Sequence, residues 1–378
     1  WLCSEFWWSV RIFSSQPMKK IIFIAIICIH SGCSLGPEKP DDQDVWLYAN
    51  PSAAQLSDSV LLAINNNLGA KLYGNINSLV VIKDDRLIFE NYYDQSYRSR
   101  AKNLGQASMA ILITALDLLI RDGYIENIQQ NIVTFLPEYQ SIFNVEPEKE
   151  QITIEHLLIN KSGLSWVQSN AFPDNLNDLS IMKLQSDWAE YVLSRPLEAN
   201  PGLRYVPNTG AGVVLAKVMQ NALGSDLLTY LKQELFERID IQEVIWDTDP
   251  QGTLDGGAGL SLKALDFTKF GYLLLNGGRW KQARVISNEW IFEITRTTLQ
   301  LDNTINAGYG WWGFADNVLD LEINDLFFAD GGLGEQLYII PHLRMVVAIH
   351  AENYSQGFFN SSTFIFLSVL ASLEPNEN

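Results

Sequence analysis

A serine hydroxyl followed three residues later by a lysine amine can do chemistry. On one helical turn the amine takes the hydroxyl proton and the oxygen attacks a carbonyl. Ser180-Ile181-Met182-Lys183 has this spacing. It lies in a polar loop-to-helix stretch before Asp187-Trp188, and so short a match arises readily by chance, so a structural role is expected of it. Ser108 opens a long apolar run but has Ile111 at the third-following position, which reads as a structural or hydrogen-bonding serine. The one Gly-x-Ser-x-Gly pattern, Gly32-Cys33-Ser34-Leu35-Gly36, falls in the N-terminal segment before the apolar pattern of the domain begins, so no nucleophile elbow is read there. His156, His342 and His350 fall in separated apolar stretches without metal-ligand spacing. They read as satisfied core or surface histidines, so no metal and no cofactor is expected. Asp247 and Asp249, beside Pro250, read as turn carboxylates.

The elements that must position any such groups follow from the apolar pattern. Ala53 to Leu68 has helical periodicity, and Leu79 to Ile82 with Leu87 to Tyr92 forms two apolar runs joined by Lys83-Asp84-Asp85-Arg86, a hairpin signature. Ala107 to Arg121 is apolar on nearly every face, which predicts a helix buried on all sides and closed by Asp122-Gly123. From Ile152 to about Glu237 the pattern is helical, with loops at 160–163 and 200–210. Strands return at Gln336 to Ile340 and Met345 to His350, before a last helix from Thr363 to Leu373. The chain contains no internal repeat and no low-complexity segment.

With 378 residues, 47% of them hydrophobic and 11% aromatic, the chain can bury a large core. Its formal charge of −18, without a Lys/Arg-rich run, sets a repulsive field before any polyphosphate and excludes nucleic acid as an expected partner. The N-terminus reads as an address. Met18-Lys19-Lys20 supplies a positive region, Ile21 to Ile29 an apolar stretch too short to span a bilayer, and Ser31-Gly32-Cys33 a cleavage site ending in cysteine. This resembles a bacterial lipoprotein signal, with His30 where an aliphatic residue is usual. Residues 1–17 are accordingly read as untranslated upstream sequence, 18–32 as the signal and 33–45 as a lipid-anchored linker, with Cys33 the anchor. Cleavage there removes Cys3 and Cys28 and leaves no thiol in the folded domain. Losing Arg11, Lys19, Lys20 and Glu5 shifts the charge from −18 to −20, so attachment to a membrane is expected through acyl chains rather than attraction to anionic lipid. The expected location is the cell envelope, as an outer-membrane lipoprotein facing the periplasm, or secreted in the case of an ordinary signal.

Several segments, in order, carry a resemblance. They are Ile152 to Leu158 followed by Lys161-Ser162-Gly163-Leu164, Pro201-Gly202-Leu203-Arg204-Tyr205, Gly256-Gly257-Ala258-Gly259-Leu260, Asp266 to Gly271, and Asn276-Gly277-Gly278-Arg279-Trp280. Tyr309-Gly310-Trp311-Trp312 and Ala329-Asp330-Gly331-Gly332 complete the set. From about Trp46 to Leu373 the chain resembles the class C β-lactamase, penicillin-binding protein and esterase superfamily of serine hydrolases. That likeness implies an α/β (α+β) fold, a β-lactamase-like antiparallel sheet flanked by helices, with a helical lobe inserted over about 125–240 in a domain of 46–373.

It also implies three catalytic clusters, and here each is altered. Counting back from Gly123-Tyr124-Ile125 puts Gln106 at the nucleophile position and Met109 at the lysine position, and no lysine occurs between Lys102 and Lys149. An amide is a poor nucleophile and a thioether is no base. The family's Tyr-x-Asn, for proton transfer and amide recognition, becomes Pro207, Asn208 and Thr209, with Tyr205 nearby as an aromatic packing residue. The basic glycine turn becomes Gly331-Gly332-Leu333-Gly334-Glu335: Gly332 keeps close backbone approach, while Glu335 is expected to repel a substrate carboxylate. Losing the nucleophile of a serine hydrolase alone costs about a millionfold in turnover, roughly 8 kcal/mol. The resulting expectation is a homologue that has lost catalysis and whose cleft recognises a peptide, a cell-wall fragment or a partner protein. Ser108, Tyr205, Asn208, Trp311 and Trp312 are the candidates to line it. The other reading is an active hydrolase of esters, amides or β-lactams with relocated catalytic groups.

Overall fold

The computed structural model describes residues 46–168, 176–296, 299–315, 325–353 and 361–374. Cys33, the signal and the linker lie outside the described residues. A nine-stranded sheet runs in the order 47–48, 86–92, 76–83, 345–351, 336–340, 327–330, 312–314, 305–307, 299–300. Neighbours are antiparallel except at one edge, where Leu47–Tyr48 pairs in parallel with Arg86 and Leu87, so the sheet is mixed rather than wholly antiparallel.

Alternation along the strands sorts the core into two layers. Val80 and Ile82 face one layer with Ala348 and Leu337; Leu79 and Val81 face the other with Val347 and Tyr338. The first layer is covered by Ala107–Arg121 and Ala264–Leu275, the second by Asp58–Gly69 and Ser361–Leu370. The hairpin between Ile76–Lys83 and Arg86–Tyr92 turns on Asp84 and Asp85, both at positive φ (51° and 60°), as a two-residue turn matching strand twist requires.

The buried helix spans Ala107–Arg121, and every residue from Ala107 to Leu119 is buried. Between residues 125 and 240 come helices Gln140–Val145, Ile154–Leu158, Asp178–Met182, Trp188–Ser194, Gly210–Leu223 and Leu227–Leu231. Two boundaries differ from expectation. The helix expected from Ala53 is broken at Gln55, whose φ of 59° leaves a single 3-10 turn over Pro51–Ala54 before the helix Asp58–Gly69. The last helix is Ser361–Leu370 rather than 363–373. A small three-stranded sheet (102–103, 260–262, 245–246) leads into the buried helix.

Candidate functional site

The start of the buried helix is the centre of the site, and its backbone donors are all in use. The amide of Gln106 donates to Gly331 O at 3.0 Å, Ala107 to Leu104 O at 3.2 Å, Ser108 to Gly105 O at 3.1 Å and Met109 to Gln106 O at 3.1 Å. The first turn of a helix ordinarily offers unsatisfied N–H groups to an anion; here they are spent within the protein. Glycine makes this packing possible. A Cβ on Gly105, at φ +54°, would fall 2.1 Å from Gly331 O, and one on Gly331 would fall 2.4 Å from Leu104 O.

Gln106 is exposed and its side-chain amide lies against the glycine turn: a Cβ on Gly332 would sit 3.2 Å from Gln106 Nε2. Met109, 7% exposed, is packed into the core. Ser108 is fully buried; its hydroxyl donates to Gly105 O at 2.7 Å and accepts from Leu260 N at 3.0 Å. It is therefore a staple between the helix start and the loop 256–260, not a cleft residue. The same loop is tied by Asn103 Nδ2 to Ala258 O at 2.9 Å.

The turn 331–335 is held from below. Glu335 is 2% exposed, its Oε1 accepts from Lys102 Nζ at 3.0 Å and its Oε2 from Leu333 N at 3.2 Å. Lys102 also reaches Glu352 at 3.5 Å. Glu335 thus does not face a ligand, and the expected repulsion of a substrate carboxylate is corrected: its charge is paired under the turn. Burial raises its pKa while Lys102 opposes that rise. Asp330 accepts from Gly332 N at 2.9 Å, and burial, reinforced by the Glu335 carboxylate, pushes it up to about 6.

At the second cluster, Pro207 is exposed. Asn208 and Thr209 are buried and fasten the start of helix Gly210–Leu223. The Asn208 amide donates to Asn160 Oδ1 at 3.1 Å and its Oδ1 accepts from Ala211 N at 3.2 Å; Thr209 Oγ1 donates to Gln168 Oε1 at 2.5 Å. Gln168 Oε1 accepts from Trp166 Nε1 as well, at 2.9 Å. Neither Asn208 nor Thr209 lines an open surface. Tyr205 is half-buried, and burial pushes its phenol up to about 12, which leaves it neutral rather than a proton acceptor. Thr209 meets the loop 256–260 directly, since a Cβ on Gly257 would lie 2.0 Å from Thr209 O, and a Cβ on Gly256 would meet Leu112 of the buried helix at 2.4 Å. All three clusters therefore gather around the first half of that helix.

The two tryptophans are corrected outright. Trp311 is 0% exposed, edge-on to Phe327 at 5.4 Å, with its indole N–H on Thr114 Oγ1 at 3.3 Å. Trp312 packs on the opposite layer of the sheet, opposite Phe328 in register.

Elsewhere, Lys183 pairs at 3.2 Å with the fully buried Asp255, just ahead of the loop 256–260. A second such tetrapeptide, Ser99-Arg100-Ala101-Lys102, has its lysine on a strand and engaged by Glu335, so its serine and lysine do not share a helical turn. His156 closes a capping box with Thr153, and His342 meets Asp325 at 2.5 Å. His350 is core but not satisfied: both ring nitrogens lack a partner among the described residues, and burial lowers it to about 3. Lys102, Asp330 and Gln168 escaped sequence reasoning. Lys102 meets Glu335 and Gln168 meets Thr209 from 233 and 41 positions away, where spacing gives no signal, whereas Asp330 acts on Gly332 within its own turn.

Comparison with known proteins agrees with this fold. The sequence profile described as Beta-lactamase matches residues 78–361. Among solved structures, a Bacillus anthracis protein provisionally named a 6-aminohexanoate-dimer hydrolase superposes with a TM-score of 0.69 at 17% identity, over 88% of this chain and 87% of that one. EstCE1, a hydrolase with promiscuous acyltransferase activity, gives 0.65 at 15% identity over 86% and 100%. A penicillin-binding protein homologue from Caulobacter crescentus gives 0.65 at 14% over 86% and 99%. With the profile covering most of its length and the same architecture in all three, the chain belongs to the beta-lactamase family of serine-hydrolase-fold proteins.

Proposed function

We propose that this family member has lost acyl-transfer chemistry and serves as a binding or scaffolding protein of the cell envelope, tethered through Cys33. The observation that carries this reading is the helix start. Gln106 stands at the nucleophile position with its backbone N–H on Gly331 O, and Met109 fills the base position as a buried thioether. Acyl transfer needs a nucleophile, a base and backbone donors aimed at the developing oxyanion. At this position the first two are replaced and the Gln106 donor is occupied. What remains on the surface there is the primary amide of Gln106 over the Gly332 turn, a hydrogen-bonding surface suited to a peptide, a cell-wall fragment or a partner protein.

The test is turnover of a chromogenic cephalosporin and of p-nitrophenyl butyrate by the purified domain. Rates at the buffer blank are expected for both. Turnover that co-purifies with the protein and disappears in Ser180→Ala or Ser108→Ala would replace this reading with relocated catalysis.

A further inference from the structure

On the second layer of the core, helices Asp58–Gly69 and Ser361–Leu370 lie against one another over the sheet. They are fastened at one end by Ser57 N on Ser372 O at 2.7 Å and Glu374 N on Gln55 O at 2.9 Å. An outward helix face is ordinarily where charged residues go. Here neither 59–70 nor 361–373 contains one, although 19% of the chain is charged. The outward side is apolar instead. Phe364 is 55% exposed and Leu62 38%, with Leu367 half-buried one turn on from Phe364 and Ala63 exposed beside Leu62. Ser368 returns its hydroxyl to Phe364 O at 2.8 Å. Charge stands only at the rim: Asp58 and Glu374 are exposed at the fastened end, and Lys71 beyond the other end of the first helix.

Area and chain path choose what covers this face. The helices have 12 and 10 residues, so side by side they present roughly 350 Å². A stable dimer needs about 800 Å² from each partner, which this face alone does not offer to a second copy. Trp46, buried and edge-on to Tyr272 and Trp280 at 5.4 and 6.5 Å, pins the point where the tether enters the domain. Only the strand Leu47–Tyr48 and the turn Pro51–Ala54 separate it from helix Asp58–Gly69. Cys33 precedes Trp46 by thirteen positions, at most about 45 Å of extended chain, so an anchor there keeps a bilayer within reach. We propose that the face of these two helices rests on that lipid surface. Phe364, Leu62 and Leu367 enter the boundary between headgroups and acyl chains, and the charged rim stays in water. For a chain of −18, a charge-free face is also the one that meets an anionic leaflet with least repulsion. The proposal rests on the lipid anchor at Cys33 and adds the orientation: the helix that begins at Gln106 lies on the far side of the sheet from the lipid.

The test uses the processed full chain reconstituted in phosphatidylcholine vesicles. No cysteine follows Cys33, so Phe364→Cys, Leu62→Cys and Val145→Cys each take a single dye. Val145, 87% exposed, ends a helix whose Phe143 packs in the first layer, and it serves as the remote control. Nitroxide-bearing lipid is expected to quench the dyes at 364 and 62 at least threefold more than the dye at 145. Phe364→Asp is expected to cut the quenching at 62 at least twofold. Protein that floats with the vesicles but shows equal quenching at all three positions would overturn the contact and leave the anchor standing. Protein that does not float would overturn both. Self-quenching between dyes at 364 without quenching by lipid would give the face to a second copy and overturn the proposal.

Discussion

Lys102 Nζ lies 3.0 Å from Glu335 Oε1, although the two residues are 233 positions apart, and both side chains are buried. This pair fastens the strand leading into the buried helix to the turn whose Gly331 carbonyl covers the Gln106 amide. Removing one member of a buried pair strands the other charge. Glu335→Gln leaves Lys102 only the half-exposed Glu352 at 3.5 Å and should therefore cost up to about 3–5 kcal/mol in urea unfolding. The double variant Lys102→Met with Glu335→Leu should recover most of that loss. A single variant that unfolds at the wild-type midpoint would show that the pair does not hold the turn.

Met109 supplies a packing prediction. Met109→Leu conserves volume and should cost under about 1.5 kcal/mol. Met109→Lys places an amine among apolar neighbours without a serine partner and should cost a few kcal/mol. Equal melting temperatures for the two variants would mean that position 109 faces water.

His350 gives the domain a signed pH dependence. It lies opposite Ser78 in the sheet, 5.6 Å from the Phe267 ring, and is held at about 3 by burial, with the Lys102 charge adding to the effect. Its unfolded value is about 6.5. The neutral ring's contribution is therefore full above about 6.5 and is lost at roughly 1.4 kcal/mol per pH unit as the pH falls toward 3. Asp330 has the opposite sign: raised to about 6, it weighs against folding above that pH and is relieved on acidification. Between pH 6 and 4 the two contributions oppose one another, so His350→Leu should lower the slope of stability against pH by about 1.4 kcal/mol per unit and Asp330→Asn should raise it by about as much. Parallel curves for wild type and His350→Leu would show that this histidine does not titrate on unfolding.

The tether is tested by fractionation. Cys33→Ser should move the protein from membrane to soluble fractions, because two or more acyl chains supply stable anchoring. Unchanged membrane retention would contradict a lipid anchor at this residue.

How much of this was legible in the sequence depended on the range of the interactions involved. The buried helix matched its expected bounds from Ala107 to Arg121 because continuous apolarity is a local signal, as was the hairpin at Asp84-Asp85. Gln106 and Met109 could be placed by counting within that helix. The Lys102–Glu335 pair could not, because nothing local tells a buried lysine from an exposed one. Trp311 and Trp312 were misjudged for a reason that was readable: adjacent residues in extended chain point to opposite faces, so both could not line one cleft. Ser108 and Asn208 misled because a buried hydroxyl or amide that fastens a loop has the same residue type as one that binds a ligand.

The central claim is that this protein forms no acyl-enzyme, at the helix start or at Ser180, and intact-protein mass spectrometry after incubation with a fluorescent penicillin or a fluorophosphonate tests it most directly. The predicted result is an unshifted mass, since neither Gln106 nor Ser108 has a lysine one turn on. A stoichiometric adduct mapped to Ser108 or Ser180 would contradict it.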